Sequence, residues 1–220
     1  MTATIKAPLI AILFILISST SSAQPTIIDH SSTDITKIPQ VAIERAKINL
    51  HIAYGHTSHG SQLTTGMTGL VEFANNGGLG LNLPTDIFQW NNGGTGNALD
   101  LHDYFQSGDL GNPDRTTWAT RTREYLDNPT NSDVNVVIWS WCGQVDTTEE
   151  NIDIYLDLMN QLEIDYPNVK FVYMTGHSDG GGEAGNVHLR NQQIRNYCIA
   201  NDKILYDFYD IELFDPDVNY

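Results

Sequence analysis

Apolar and polar positions along the chain fall into two repeating periods. Between residues 61 and 74, Leu63, Met67, Leu70 and Val71 recur at helical spacing, and Asn75-Asn76-Gly77-Gly78 stops the run. A helix is predicted over 117–126, ending before Asn128-Pro129. Ile152, Tyr155, Leu156, Met159 and Leu162 define another, with Thr147 or Thr148 as its cap, Glu149 and Glu150 in its first turn and Pro167 beyond its end. A last helix is read over 186–200, from Leu189, Ile194 and Tyr197.

Between these lie short β-rich runs. Residues 48–54 read as a first strand ended by Gly55, and residues 86–90 as a second ended by Asn91-Asn92-Gly93-Gly94. Residues 134–139, 169–174 and 204–206 follow as the third, fourth and fifth. Strand and helix alternate, which predicts an α/β domain on a five-stranded parallel sheet with helices on both faces.

The first residues follow a different logic. Lys6 precedes the apolar run 9–17, and small residues lead to Ser21-Ser22-Ala23. That is the layout of a secretory signal (1–23) cleaved near Ala23. The run is shorter than the roughly 20 residues a membrane span needs. The expectation is a secreted or periplasmic protein without membrane insertion, with residues 24–46 a polar lead-in and 47–220 one domain.

Charge narrows the partners. With 11 basic and 27 acidic residues the net charge is −16, which argues against nucleic acid and anionic lipid. Forty per cent apolar residues and many aromatics exclude general disorder. Cys142 and Cys198 are too few for a disulfide framework, though one bridge between them is compatible with the sequence.

The turns after the strands are the richest in chemistry. They are Gly55-His56-Thr57-Ser58-His59-Gly60-Ser61, the run 91–97, Ser140-Trp141-Cys142-Gly143-Gln144, and Thr175-Gly176-His177-Ser178-Asp179 with the glycines after it. In an open parallel sheet the carboxyl ends of the strands are where ligands bind, so these loops are expected to share one crevice. Ser58 stands where a strand turns into a helix, beside backbone N–H groups able to hold an oxyanion, with Ser61 as the alternative hydroxyl. A helix cap is the plainer reading of Ser58 taken alone. His177 follows a strand end and suits a general base. His56, His59, His177 and Asp179 also admit a metal site. Trp90 and Trp141 are either core residues or sugar-stacking faces.

Taken together, Gly55-His56-Thr57-Ser58-His59-Gly60 resembles the first block of the SGNH (GDSL-like) hydrolases, in a Gly-His-x-Ser-x-Gly variant. Residues 136–144 resemble that group's third block, 171–177 its fourth-strand segment, and 191–217 the end of such exported proteins. The resemblance implies a flavodoxin-like three-layer α/β/α sandwich and serine ester hydrolysis, often of acetylated carbohydrates, without cofactor or metal. It makes Ser58 the nucleophile and places oxyanion donors at the Ser58 N–H and at Gly93 or Gly94. The third donor, an Asn side chain in the family, falls at Gln144 or Cys142, beside Gly143. His56, His59, Trp90, Trp141 and Asp179 become substrate-binding residues.

One departure matters. The family's Asp-x-x-His after the last strand is here Asp207-Phe208-Tyr209-Asp210, and no histidine follows His188. Three readings stay open: a chain cut before that histidine, a base from another loop with His177 leading, or a noncatalytic carbohydrate-binding domain. A His-based metal-dependent hydrolase is the remaining alternative.

Overall fold

The computed structural model describes residues 24–217; the expected signal segment lies outside them. The strands are β1 (Thr26–Ile28), β2 (His51–Gly55), β3 (Trp90–Asn91), β4 (Leu99–Asp103), β5 (Val136–Trp139), β6 (Lys170–Met174) and β7 (Ile204–Tyr206). The helices are α1 (Gln40–Asn49), α2 (Ser61–Asn76), α3 (Thr117–Leu126), α4 (Glu149–Asp165), α5 (Asn186–Ala200) and α6 (Phe208–Leu213). All strand pairings are parallel, in the order β1-β7-β6-β5-β2-β4-β3.

The class is the one expected, a parallel sheet flanked by helices, but the sheet has seven strands rather than five. Residues 85–88 form turns, Trp90 starts the edge strand β3, and β2 lies between β5 and β4. The lead-in is also structured, with β1 on the sheet edge and α1 over 40–49.

Alternation along the strands divides the molecule. Ala53, Val137, Trp139, Phe171, Tyr173 and Leu205 point to one face, where they join Trp118 of α3, Ile152, Tyr155 and Met159 of α4, and Ile194 of α5 in the main core. Buried indoles find acceptors there: Trp139 Nε1 donates to Thr122 Oγ1 at 2.9 Å and Trp141 Nε1 to the Met174 carbonyl at 3.0 Å. The α4 cap is as expected, Thr148 Oγ1 accepting from Asn151 N. On the other face Tyr54 and Met174 are buried, and α1, α2 and α6 border an apolar groove with Tyr206.

The order places the site. From β2 the chain goes to β4 on one side, then returns past β2 to β5 on the other. The loops leaving β2 and β5 therefore diverge at their carboxyl ends, which opens a crevice at the switch point.

Candidate functional site

Gly55 ends β2 where the Trp139 ring stands 2.4 Å from the place a Cβ would take. The next residues fold into a one-turn 3-10 helix, Ser58–Gly60, that runs directly into α2. Several bonds pull this turn down. The Tyr54 hydroxyl donates to the Gly60 carbonyl at 2.8 Å, and Gly60 N donates to the Thr57 carbonyl at 2.9 Å. Thr57 Oγ1 donates to Asp109 Oδ2 at 2.8 Å, and Asp109 is itself buried, with its other oxygen accepting from Gly111 N. Beneath the turn His56 is buried, with Nε2 2.8 Å from Asp103 Oδ1, its ring stacked on Tyr54 and edged by Tyr104.

Ser58 rides on top of this platform, exposed, with φ +36°. A side chain in the left-handed region costs on the order of 1–3 kcal/mol and persists only where neighbours over-determine it. The bonds from Tyr54, Thr57 and Asp109 do so here.

The histidine beside Ser58 is not alone. The His59 ring lies on the His177 ring, centroids 3.7 Å apart and planes 18° from parallel. His59 Nδ1 is also 3.9 Å from Cys142 Sγ. Thus side chains from the loops after β2, β5 and β6 line one crevice. His177 Nδ1 is 2.9 Å from the Ser178 carbonyl, which can only accept, so Nδ1 carries the proton. Its Nε2 is then a bare acceptor, buried and without a partner. The loop is held by Gly176 N donating to Asn191 Oδ1 (2.8 Å) and Ser178 N to Glu212 Oε2 (2.7 Å).

Other expected residues stand as follows. Gln144 wedges against Gly111 in the β4–α3 loop, its carbonyl accepting from Arg115 and its Oε1 buried without a partner. Gly143 is exposed at the start of the 3-10 turn after Cys142. Ser61 Oγ donates back to the Ser58 carbonyl at 2.8 Å, which ties it to the turn. Asp179 is exposed, and Oδ1 accepts from Gly181 N within its own turn.

Three expectations fail on position. Trp141 is 1 % exposed and offers no face to a sugar. Gly94 packs on Asp100, and Gly93 N donates to Asp100 Oδ1. Asp100 pairs with His51 at the start of β2, so this loop lies at the opposite end of the sheet from Ser58. Trp90, opposite Leu99, is at that end too. The loop that does reach the crevice from this side follows β4 and brings Asp103, Tyr104 and Asp109. Strand 99–103 is hard to read from sequence because Asp100 and His102 are among its buried residues.

The metal arrangement is not assembled either. Among the described residues, the groups close enough to share an ion are Asp29, His30 and Asp210, and His51, Asp100 and Asp133. His56 is instead taken by Asp103, and His59 lies between Cys142 and His177. Cys142 and Cys198 are unbridged, and burial pushes the Cys198 thiol up to about 12.

The Asp-x-x-Asp at the end of β7 is engaged in structure. Asp207 is 1 % exposed, forked by the Arg195 guanidinium and bonded by Thr175 Oγ1 at 2.9 Å. Asp210, where the family has its histidine, is 2.5 Å from His30 Nδ1. Comparison with protein-family models, curated proteins and solved structures found no match.

Proposed function

We propose that this chain is an exported serine ester hydrolase of the SGNH kind on a flavodoxin-like, three-layer α/β/α domain. The observation that carries the reading is Ser58: a hydroxyl at positive φ on a strand-to-helix turn, at the switch point, one residue before the His59 that stacks on His177. The order of β4-β2-β5-β6-β7 supports it, since those five strands, numbered by themselves, run 2-1-3-4-5.

In this reading Ser58 Oγ attacks the ester carbonyl while His177 Nε2 takes its proton. The imidazolium returns that proton to the leaving alcohol, and water then releases the acid by the same steps reversed. Backbone N–H groups of the turn, at the positive end of α2, hold the tetrahedral oxyanion. With Asp207 locked to Arg195, the base is His177 rather than a residue after β7. Its orienting partner is the Ser178 carbonyl, and His59 packs the ring in place. His56 and Asp103 support the turn from below. The alcohol side of the substrate is a carbohydrate, and acetate is the smallest acyl group that tests the reaction.

The test measures hydrolysis of p-nitrophenyl acetate and acetylated oligosaccharides by wild type, Ser58→Ala and His177→Ala. Both variants are expected to keep their fold by circular dichroism and lose on the order of 10³-fold or more in kcat. Full activity in Ser58→Ala overturns the assignment.

A further inference from the structure

We propose that the apolar groove beside α2 holds the acyl chain of the ester that Ser58 attacks, so that medium-chain acyl esters are preferred to acetate. The inference rests on the esterase reading and adds the acyl side of the substrate to it.

The groove is about 540 Å³, within the range of roughly 300–1,000 Å³ common for small-molecule sites. Its lining contains no Asp, Glu, Lys, Arg or His, in a chain with 27 acidic residues. Apolar surface left open to water is unfavourable, and Ile38 on its rim is 42 % exposed. A hydrocarbon chain is the occupant such walls suit.

Position ties the groove to the chemistry. One wall is α2, beginning at Gln62 and Leu63, one helical turn past Ser58. The opposite wall includes Phe208 and Ile211 of α6. The next residue, Glu212, accepts the Ser178 N–H and so anchors the loop that carries His177. The helix that follows the nucleophile and the helix that fixes the base loop are thus the two sides of one channel. In this proposal a chain attached to a carbonyl at Ser58 runs past Gln62 and Leu63 into the groove.

Gly66 lies on the same wall. It sits inside α2 on the groove wall, where a glycine costs about 1 kcal/mol relative to alanine. A Cβ added there meets no atom within 4 Å, so no packing within the protein requires its absence. A bare backbone at this point widens the groove for a ligand.

The experiment uses the full chain with p-nitrophenyl acetate, butyrate and octanoate, and a Gly66→Leu variant whose side chain grows into the groove. Wild type is expected to gain about tenfold or more in kcat/KM from acetate to octanoate. Gly66→Leu is expected to lose that gain. Octanoate binding, followed by NMR shifts, is expected in wild type and not in Gly66→Leu, and needs no turnover. Acetate hydrolysis with a flat length series and no octanoate binding overturns the acyl groove and leaves the esterase standing. Gly66-dependent octanoate binding with no ester hydrolysed at any length overturns the Ser58 chemistry instead. A dimer in sedimentation that Gly66→Leu disperses, without octanoate binding, overturns the proposal by assigning the groove to a second copy.

Discussion

At the residue scale the turn bearing Ser58 depends on a missing side chain. Gly60 has ordinary helical dihedrals, so its freedom of rotation is not what matters. A Cβ there would stand 2.3 Å from His56 Cβ and 2.9 Å from Ser140 Oγ. His56 is fixed from the other side by Asp103 and by Tyr54, so it cannot retreat. Gly60→Ala must therefore lift the turn off its platform. The expected loss is roughly 1–3 kcal/mol in urea unfolding, with a fall in kcat for the proposed ester hydrolysis as Ser58 shifts. Gly143→Ala is the control: its Cβ meets nothing within 4 Å, and stability is expected to stay within about 0.5 kcal/mol.

At the element scale β4 explains both what sequence reading missed and what stabilises the far end of the sheet. Helix α4 and strands β5, β6 and β7 are legible because their buried positions are apolar; α3 and α5 carry one buried polar residue each, Thr122 and Asn191. In β4 the buried residues include Asp100 and His102, which disguise a strand as a loop. They are tolerated because they satisfy each other: Asp100 is 2.8 Å from His51 Nδ1 and 3.0 Å from His102 Nε2, and it accepts from Gly93 N at 2.6 Å. Helix α1 is hidden similarly, since it buries Lys47, whose Nζ donates to the Asp86 carbonyl, while Val41 and Ile48 face solvent. Burial acts to raise the Asp100 pKa, but the bonds from His51 and Gly93 and the charges of His102 and His51 outweigh it and hold the carboxyl below its ordinary value. A depressed folded pKa gives stability that is full above the unfolded value, about 3.9, and lost as pH falls through the folded one. Asp100→Asn is expected to lose roughly 1–3 kcal/mol at pH 7, measured by urea midpoints. The gap between variant and wild type is expected to narrow as the pH is lowered below about 4.

At the scale of the whole molecule the sequence announces the class of fold through alternation, and a crevice through the polar loops. It does not announce which loops meet there, because that follows from strand order, and β4 rather than residues 86–90 sits beside β2. Composition does bear on the folded molecule as a whole. Of the 11 Lys and Arg residues, Lys37, Arg123, Arg190, Arg195 and Lys203 already face a carboxylate. The 27 acidic residues far exceed the cations available to neutralise them, so folding brings unpaired carboxylates closer together. Their mutual repulsion acts across the surface, over distances that salt screens: the Debye length falls from about 30 Å at 0.01 M to about 8 Å at 0.15 M. Salt also weakens the exposed pairs, such as Arg123–Asp165, but each of those contributes only about 0–1 kcal/mol. Repulsion between many charges outweighs that loss, so sodium chloride stabilises this fold. Raising it from 0.01 to 0.15 M at pH 7 is expected to increase the melting temperature by about 2–4 °C, equivalent to roughly 1 kcal/mol for a domain of this size. Calorimetry at the two salt concentrations checks it, and a melting temperature that falls with salt means the paired charges outweigh the unpaired ones.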